Sequence, residues 1–314
     1  VALYAMGGGH GHVMRALAIA RALPPHVERL LLVPERLQST VSRYQPCASP
    51  PSTEREPLAA WCADVLAEMK PQVLVVDVFP RGVLGELWPA LPHLAPHRLL
   101  VTRRVDARYY AAAGVHEALP HYDRILCTEA QSFGQRHEQR VPPVVLCERE
   151  DMLEPEAARE ALGLTGPVAP LMGIGNGDAG FEADLETALA ACGRPYVMFG
   201  WTRGRHEFPA ARYFRGAACA VSAAGYQSGW ELMHAGTPAV LLAQQRKLDD
   251  QLWRAGALAS EQCVVVDSFE AVPAAVDRLL SGPTAPPPAQ PASVSLCPGS
   301  GARAVAAAIA ECMA

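Results

Sequence analysis

An α/β protein of two consecutive parallel-sheet domains is the fold class that this sequence predicts, and three observations predict it. Short apolar runs alternate with longer helical patterns, which is how a parallel sheet covered by crossover helices looks in sequence. The alternation occurs twice, on either side of the charged, proline-punctuated stretch Glu148 to Glu156, a linker by its broken periodicity. Glycine-rich turns follow predicted strands directly, at the edge where open α/β sheets take ligands. The expected domains are therefore 1–150 and 151–314, with the last helix able to pack back on the first domain.

In the first domain, strands are expected at Val1 to Met6, Arg29 to Val33, Val73 to Val76, Leu99 to Thr102, Arg124 to Cys127 and Val144 to Cys147. The clearest helical pattern is His12 to Leu23. Val13, Ala16, Leu17, Ala20 and Leu23 share one face, Arg15 and Arg21 fall off it, and Pro24 and Pro25 stop it. A second helix is expected near Leu58 to Met69. In the second domain, strands are expected at Val168 to Ile174, Tyr196 to Phe199, Cys219 to Ser222, Ala239 to Leu242 and Cys263 to Val266. Gly282 to Ser295, with Pro283, Pro286, Pro287, Pro288 and Pro291, is expected to be an exposed, mobile connection, and Ala302 to Met313 a closing helix.

Half of the 314 residues are apolar, enough for two ordinary cores. A formal charge of -5 leaves no basic excess for a phosphate backbone, so nucleic acid is not expected as a partner. No apolar run reaches the roughly 18 residues of a transmembrane segment. The chain opens on a strand-like segment without a signal-peptide pattern, and a cytoplasmic location is expected. Nine cysteines, widely spaced and without a CxxC pair, suit buried thiols better than a metal site or a disulfide framework.

Three turns carry the candidate chemistry. The first, Gly7-Gly8-Gly9-His10-Gly11-His12, joins the opening strand to the amphipathic helix, so its amides and the helix N-terminus can face an anion or a sugar. A bare strand-to-helix turn is the alternative. His12 stands where an imidazole can act as base or acid, or can simply cap or fill space. Arg15, one turn further on, more often faces solvent than substrate at such a position. The second turn runs from Gly173 through Gly175, Asn176 and Gly177 to Gly180, and its amides and following helix suit a diphosphate. A surface loop without a ligand is the alternative there.

The third constellation runs Ser222-Ala223-Ala224-Gly225-Tyr226-Gln227-Ser228-Gly229-Trp230-Glu231, then Gly236-Thr237-Pro238, a strand, and Asp249-Asp250-Gln251. A carboxylate such as Glu231 can take both ribose hydroxyls, and Asp250 with Gln251 can take sugar hydroxyls. An ordinary surface carboxylate is the alternative for Glu231.

Ser222 to Ala255 resembles the donor-binding signature of the glycosyltransferase-B (GT-B) superfamily, especially the GlcNAc transferase that makes lipid II. The match covers Gly225, Ser228, Glu231, Gly236, Pro238, Ala239, Gln245, Lys247, Gln251 and Trp253. Gly9 to Ala18 is similar to the Gly-x-Gly-His-x-x-Arg turn of the UDP-sugar hydrolase of pseudaminic acid biosynthesis, whose loop histidine corresponds to His12. Asp77-Val78-Phe79-Pro80-Arg81-Gly82, followed by Gly85-Glu86-Leu87, looks like a turn in a group of predicted bacterial glycosyltransferases.

These resemblances imply a GT-B fold, two Rossmann-like domains facing a cleft, that transfers a sugar from a nucleotide donor, a UDP-sugar first, to a small-molecule or glycan acceptor. They imply ribose on Glu231 and diphosphate on the turns at Gly173, Gly175, Asn176, Gly225, Gln227 and Ser228. Sugar hydroxyls would fall to Asp250 and Gln251, and the leaving charge to Lys247. His12 would be the base, oriented by Asp77, with Gly9, Gly11 and Arg15 beside it. No Asp-x-Asp motif occurs, which suits metal-free departure without a cofactor. Hydrolysis of the same donor, or binding without catalysis, are the competing expectations.

Overall fold

The computed structural model describes residues 1–111, 114–281 and 301–314. The proline-rich segment Gly282 to Ser295 lies outside the described residues. The chain divides into two compact units, one built from Val1–Val144 with the C-terminal helix, the other beginning at Val145.

The first unit runs β1 (Ala2–Tyr4), α1 (His10–Ala22), β2 (Leu30–Leu32), α2 (Glu35–Val41), β3 (Cys47–Ala48), α3 (Arg55–Met69), β4 (Val73–Asp77), β5 (His97–Thr102), α4 (Ala107–Ala111), α5 (Val115–Ala118), β6 (Arg124–Cys127) and β7 (Glu138–Arg140). Its seven strands lie in the order β3-β2-β1-β4-β5-β6-β7. All pairs are parallel, with Leu3 between Leu31 and Val75. The central strands β1, β4 and β5 carry almost unbroken apolar runs because helices cover both of their faces. The chain reverses its direction of travel across the sheet between β1 and β4. That reversal leaves a crevice at their carboxyl ends.

The second unit runs α6 (Pro155–Leu162), β8 (Leu171–Ile174), α7 (Ala179–Ala191), β9 (Tyr196–Phe199), β10 (Cys219–Ala223), α8 (Tyr226–Ala235), β11 (Ala239–Leu242), α9 (Gln251–Leu258), β12 (Cys263–Val266) and α10 (Val272–Ser281). Its five parallel strands lie in the order β12-β11-β10-β8-β9, so the reversal falls between β8 and β10. Two buried clusters sandwich the sheet, one around Phe214, Trp230 and Leu241, the other around Leu185, Val221 and Val240. The last helix, α11 (Gly301–Met313), packs on α1 in the first unit. Gly301 lies so close to the Pro142 carbonyl that a Cβ there would overlap it.

The sequence expectation departs from the structure at 144–147. These residues are buried, yet they form no strand. Burial alone produces the same apolar run, and the strand that follows β6 at the sheet edge is instead the polar β7, which periodicity does not reveal. The stretch Glu148 to Glu156 also lies inside the second unit rather than between the two. It forms a short 3-10 turn, Arg149–Asp151, closed by reciprocal bonds of Glu148 and Asp151, and then enters α6 at Pro155. Among the described cysteines, Cys62, Cys127, Cys147, Cys219 and Cys263 are buried thiols, and Cys47, Cys192 and Cys312 are half-buried. No helix among the described residues is long and apolar enough to cross a membrane.

Candidate functional site

In the first unit the crevice between β1 and β4 is occupied by charge. The turn 7–9 delivers the chain into α1, and His12 and Arg15, one turn apart, point at Asp77, the last residue of β4. The spacing of three puts both side chains on one helix face. His12 Nδ1 and Asp77 Oδ2 are 2.5 Å apart. Arg15 grips the same carboxylate with a fork, Nε to Oδ1 at 2.8 Å and Nη2 to Oδ2 at 2.7 Å. Contrary to the solvent-facing expectation, Arg15 is 1 % exposed, because a buried carboxylate at its helix face supplies the partner that lets a guanidinium leave water. A Cβ on Gly7 would run into the His12 ring, so that glycine is required by close approach.

The chain leaves β4 through a sharp turn. Val78 N–H donates to the Val101 carbonyl, and Phe79 N–H donates back to the Asp77 carbonyl, both at 2.8 Å. Val78 sits between them at φ 66°. A left-handed β-branched residue in such a turn stores roughly 1–3 kcal/mol of strain. The result is that the Phe79 ring lies 5.2 Å from the His12 ring, tilted by 34°.

The electrostatics of this trio assign its protons. Burial pushes the Asp77 carboxyl up, but the charge of Arg15 and the hydrogen bonds from His12 and Arg15 outweigh it and hold the group at about 2. Burial pushes His12 below its ordinary value; Asp77 pulls it back, while Arg15 and Arg103 add to the depression. At neutral pH the pair is thus a carboxylate and a neutral imidazole. The carboxylate can only accept, so the imidazole proton resides on Nδ1 and Nε2 keeps its lone pair.

In the second unit the crevice lies between β8 and β10. Helix α8 starts there at Gly225 with no side chain capping its first N–H groups, and α1 in the first unit likewise starts uncapped at Gly9. By contrast, Asp178 caps α7 by accepting from Phe181 N–H, and Asp250 caps α9 by accepting from Trp253 N–H. Uncapped N-termini at sheet reversals retain donors for an anion.

The predicted residues of this unit fall into three groups. Gly173 lies within β8, where a Cβ would strike Leu189, so it serves packing rather than a ligand edge. Gly175 and Asn176 do form the turn beyond β8; Asn176 Nδ2 donates to Gln244 Oε1 at 2.7 Å. Gly225 is the N-cap of α8, Gln227 and Ser228 lie in its first turn, where Ser228 Oγ donates to the Ala223 carbonyl at 3.3 Å, and Glu231 lies one turn further along. Gln251 is buried, accepting from Gln244 N–H at 3.0 Å and donating to Asp249 at 3.2 Å, and Asp250 caps α9. Lys247 is exposed. In the first unit, Gly9 is the N-cap of α1 and Gly11 lies in its first turn.

Glu231 is not the surface carboxylate of the alternative reading. It is buried, and Oε1 accepts from Leu146 N–H at 3.1 Å and Gln227 Nε2 at 2.6 Å. Burial raises its carboxyl from 4.5 to about 7 despite those two bonds. A group raised in the folded state holds a proton the unfolded chain has released, so stability is full below about pH 4.5 and falls as pH rises toward 7. The loss amounts to about 3 kcal/mol. Glu231→Gln, which keeps the accepting oxygen without the charge, is expected to flatten this slope and to melt above wild type at pH 8; identical pH–stability curves would sink the assignment.

Several residues of both sites carry no signal in the sequence. Glu182, Gln244 and Arg254 hold the second unit's loops together. Arg254 is fully buried, donating to the Ala224 carbonyl at 3.0 Å and pairing with Asp249 at 3.0 Å. Arg103, buried just beyond β5, acts on His12 through its charge. Arg254 differs from the rest in having a local cue, since it stands beside the apolar face residues Ala255 and Leu258 of α9.

No family model matches the chain, and no curated protein matches it in sequence. Solved structures do match in shape. CalG4, the calicheamicin glycosyltransferase, superposes with a TM-score of 0.62 at 15% identity, covering 99% of this chain and 98% of its own. MurG of Acinetobacter baumannii gives 0.57 at 16% identity, covering 99% of each chain. The spinosyn rhamnosyltransferase SpnG complexed with thymidine diphosphate gives 0.52 at 16% identity, covering 99% of this chain and 95% of its own. Likeness at such identity concerns the fold, and the fold is GT-B, as the sequence resemblance implied.

Proposed function

We propose that this protein transfers a sugar from a nucleoside diphosphate donor to a hydroxyl acceptor, with His12 as general base. The observation that carries this reading is the buried His12–Asp77–Arg15 trio at the reversal edge of the first sheet. A neutral imidazole with a free Nε2 takes the acceptor's hydroxyl proton as the acceptor oxygen bonds to the anomeric carbon. The bond from that carbon to the diphosphate breaks, and its electron pair leaves on the phosphate oxygen. Asp77 stabilises the imidazolium that forms, as a buried carboxylate does for a histidine base.

The nucleotide belongs to the second unit in this reading. The uncapped start of α8 at Gly225, Gln227 and Ser228 takes the diphosphate with the turn at Gly175 and Asn176. Glu231 takes the ribose; its raised carboxyl ionises as the hydroxyls arrive. Asp250 and Gln251 face the sugar and Lys247 the leaving charge, with no metal required. Uridine is the first candidate base, and the thymidine diphosphate held by the spinosyn enzyme supports testing thymidine beside it. The acceptor is a small molecule or glycan. Hydrolysis is the second reading, favoured by the Gly9 to Arg15 turn.

The test is incubation with UDP-, dTDP- and GDP-sugars without acceptor, following bound donor by calorimetry and released nucleotide by chromatography. Tight binding of one donor with slow release is expected. His12→Ala should keep that affinity and slow acceptor-dependent turnover by about a hundredfold. Fast acceptor-free release, lost in His12→Ala, would replace transfer by hydrolysis; failure to bind any donor would end both readings.

A further inference from the structure

Glu182 has no place in the transfer chemistry, yet its carboxylate accepts five hydrogen bonds. It lies in the first turn of α7 and is fully buried. Oε1 accepts from Gly177 N–H at 2.9 Å and Trp201 N–H at 3.1 Å. Oε2 accepts from Thr202 N–H at 2.9 Å, Thr202 Oγ1 at 2.5 Å and Arg203 N–H at 3.0 Å. Burial pushes this carboxyl up, but the Thr202, Gly177 and Trp201 donors outweigh it and hold it below its ordinary value. A Cβ on Gly175 or on Gly200 would overlap the same carboxylate. Two loops, one beyond β8 and one beyond β9, are therefore wrapped around a single side chain.

We infer that Glu182 is a positioning residue that sets the backbone of the glycine turn 175–177 for the donor's diphosphate, an inference that rests on the nucleotide reading of the second unit. Beyond Glu182 the turn is held by Gly175 N–H, which donates to the Phe199 carbonyl at 2.7 Å, and by the Asn176 side chain, while Gly177 and Asp178 are exposed. Its Gly177 amide is consumed by Glu182 and its Gly175 amide by the Phe199 carbonyl, which leaves the Asn176 backbone as the ligand-facing part. Asn176 is tied in turn through Gln244 to Gln251. Fixing the turn before the anion arrives removes the ordering cost from binding.

Glu182→Gln tests this, because an amide nitrogen would replace one accepting oxygen and face N–H donors. Calorimetry with wild type and variant compares the nucleoside diphosphate with its parent nucleoside. The expected result is a tenfold or greater loss of diphosphate affinity with nucleoside affinity unchanged. Equal loss for both ligands, the signature of a merely structural role, or no loss for either, overturns the inference while leaving the nucleotide reading intact. A wild type that binds both ligands equally overturns the two together. If Glu182→Gln does not fold, Thr202→Val decides: removing one of the five donors should lower only diphosphate affinity, by a few fold, and an unchanged diphosphate increment overturns the inference.

Discussion

Asp77→Asn is expected to cut turnover by about a thousandfold or more, a larger effect than removing His12 itself. Asparagine has one oxygen where the carboxylate's two take three donors: at the Oδ2 position it accepts from His12 Nδ1 and Arg15 Nη2 while its NH2 meets Arg15 Nε, and at the Oδ1 position its NH2 meets both Arg15 Nη2 and His12 Nδ1. Both orientations remove the charge that stabilises the imidazolium, and the second also drives the ring proton to Nε2, where the base is needed. A wrong tautomer in an intact site typically costs on the order of 10⁴ in rate. In His12→Ala, space opens and water can serve as a poor substitute, whereas the mis-protonated ring blocks it. The measurement is steady-state kinetics across pH. Wild type should lose activity on the acid side with an apparent value below that of free histidine, following the depression of His12 by burial. The variant should be slow throughout. Turnover within tenfold of wild type would remove His12 from the role of base.

Arg15→Met is expected to destabilise the protein by about 3–5 kcal/mol, the scale for leaving a buried charge without its partner. Asp77 is 3 % exposed and would face the interior with only the imidazole beside it. The sign with pH follows from the carboxyl's low value. A group depressed from 3.8 to about 2 contributes stability above about pH 4 that is lost as pH falls toward 2. The variant should lack that acid transition and unfold at lower denaturant at pH 7. Adding Asp77→Leu to Arg15→Met should restore much of the loss, since an apolar pair often replaces a buried ion pair at little cost. A single variant as stable as wild type, or a double variant no better than the single, would mean that the fork contributes little.

The strands were legible wherever an apolar run was also a sheet-forming run. Tyr196–Phe199, Ala239–Leu242 and Cys263–Val266 coincide with their expected bounds, because interior β11 is apolar on both faces and the edge strands β9 and β12 also carry apolar runs. The first sheet's edge strands have no such signature, since β3 is only two residues long and β7 is polar throughout. Site residues divide the same way. His12, Gly225 and Asp250 declare themselves by standing at helix starts after strands or loops, where geometry forces exposure to a ligand edge. Arg15 does not, since its burial depends on Asp77, 62 residues later. Glu182 is equally silent: its donors come from residues up to 21 positions away, and nothing local marks a carboxylate that will be wrapped by distant backbone.

The left-handed turn at Val78 has a bearing on anyone who would redesign this chain. A stabilising programme that scores each position by local preference would replace the valine with glycine or asparagine, or rebuild the turn into an ordinary extended exit. Glycine, at ease at φ 66°, frees the peptide from its single conformation, and an extended exit abolishes the turn that runs from Asp77 to Phe79. Both residues border the imidazole, so relaxation there displaces the carboxylate and the ring together. Position 78 is one where local stability and site geometry pull in opposite directions. Thermostabilised versions are best sought in the second unit's surface and in α11, with the peptide 77–79 held fixed.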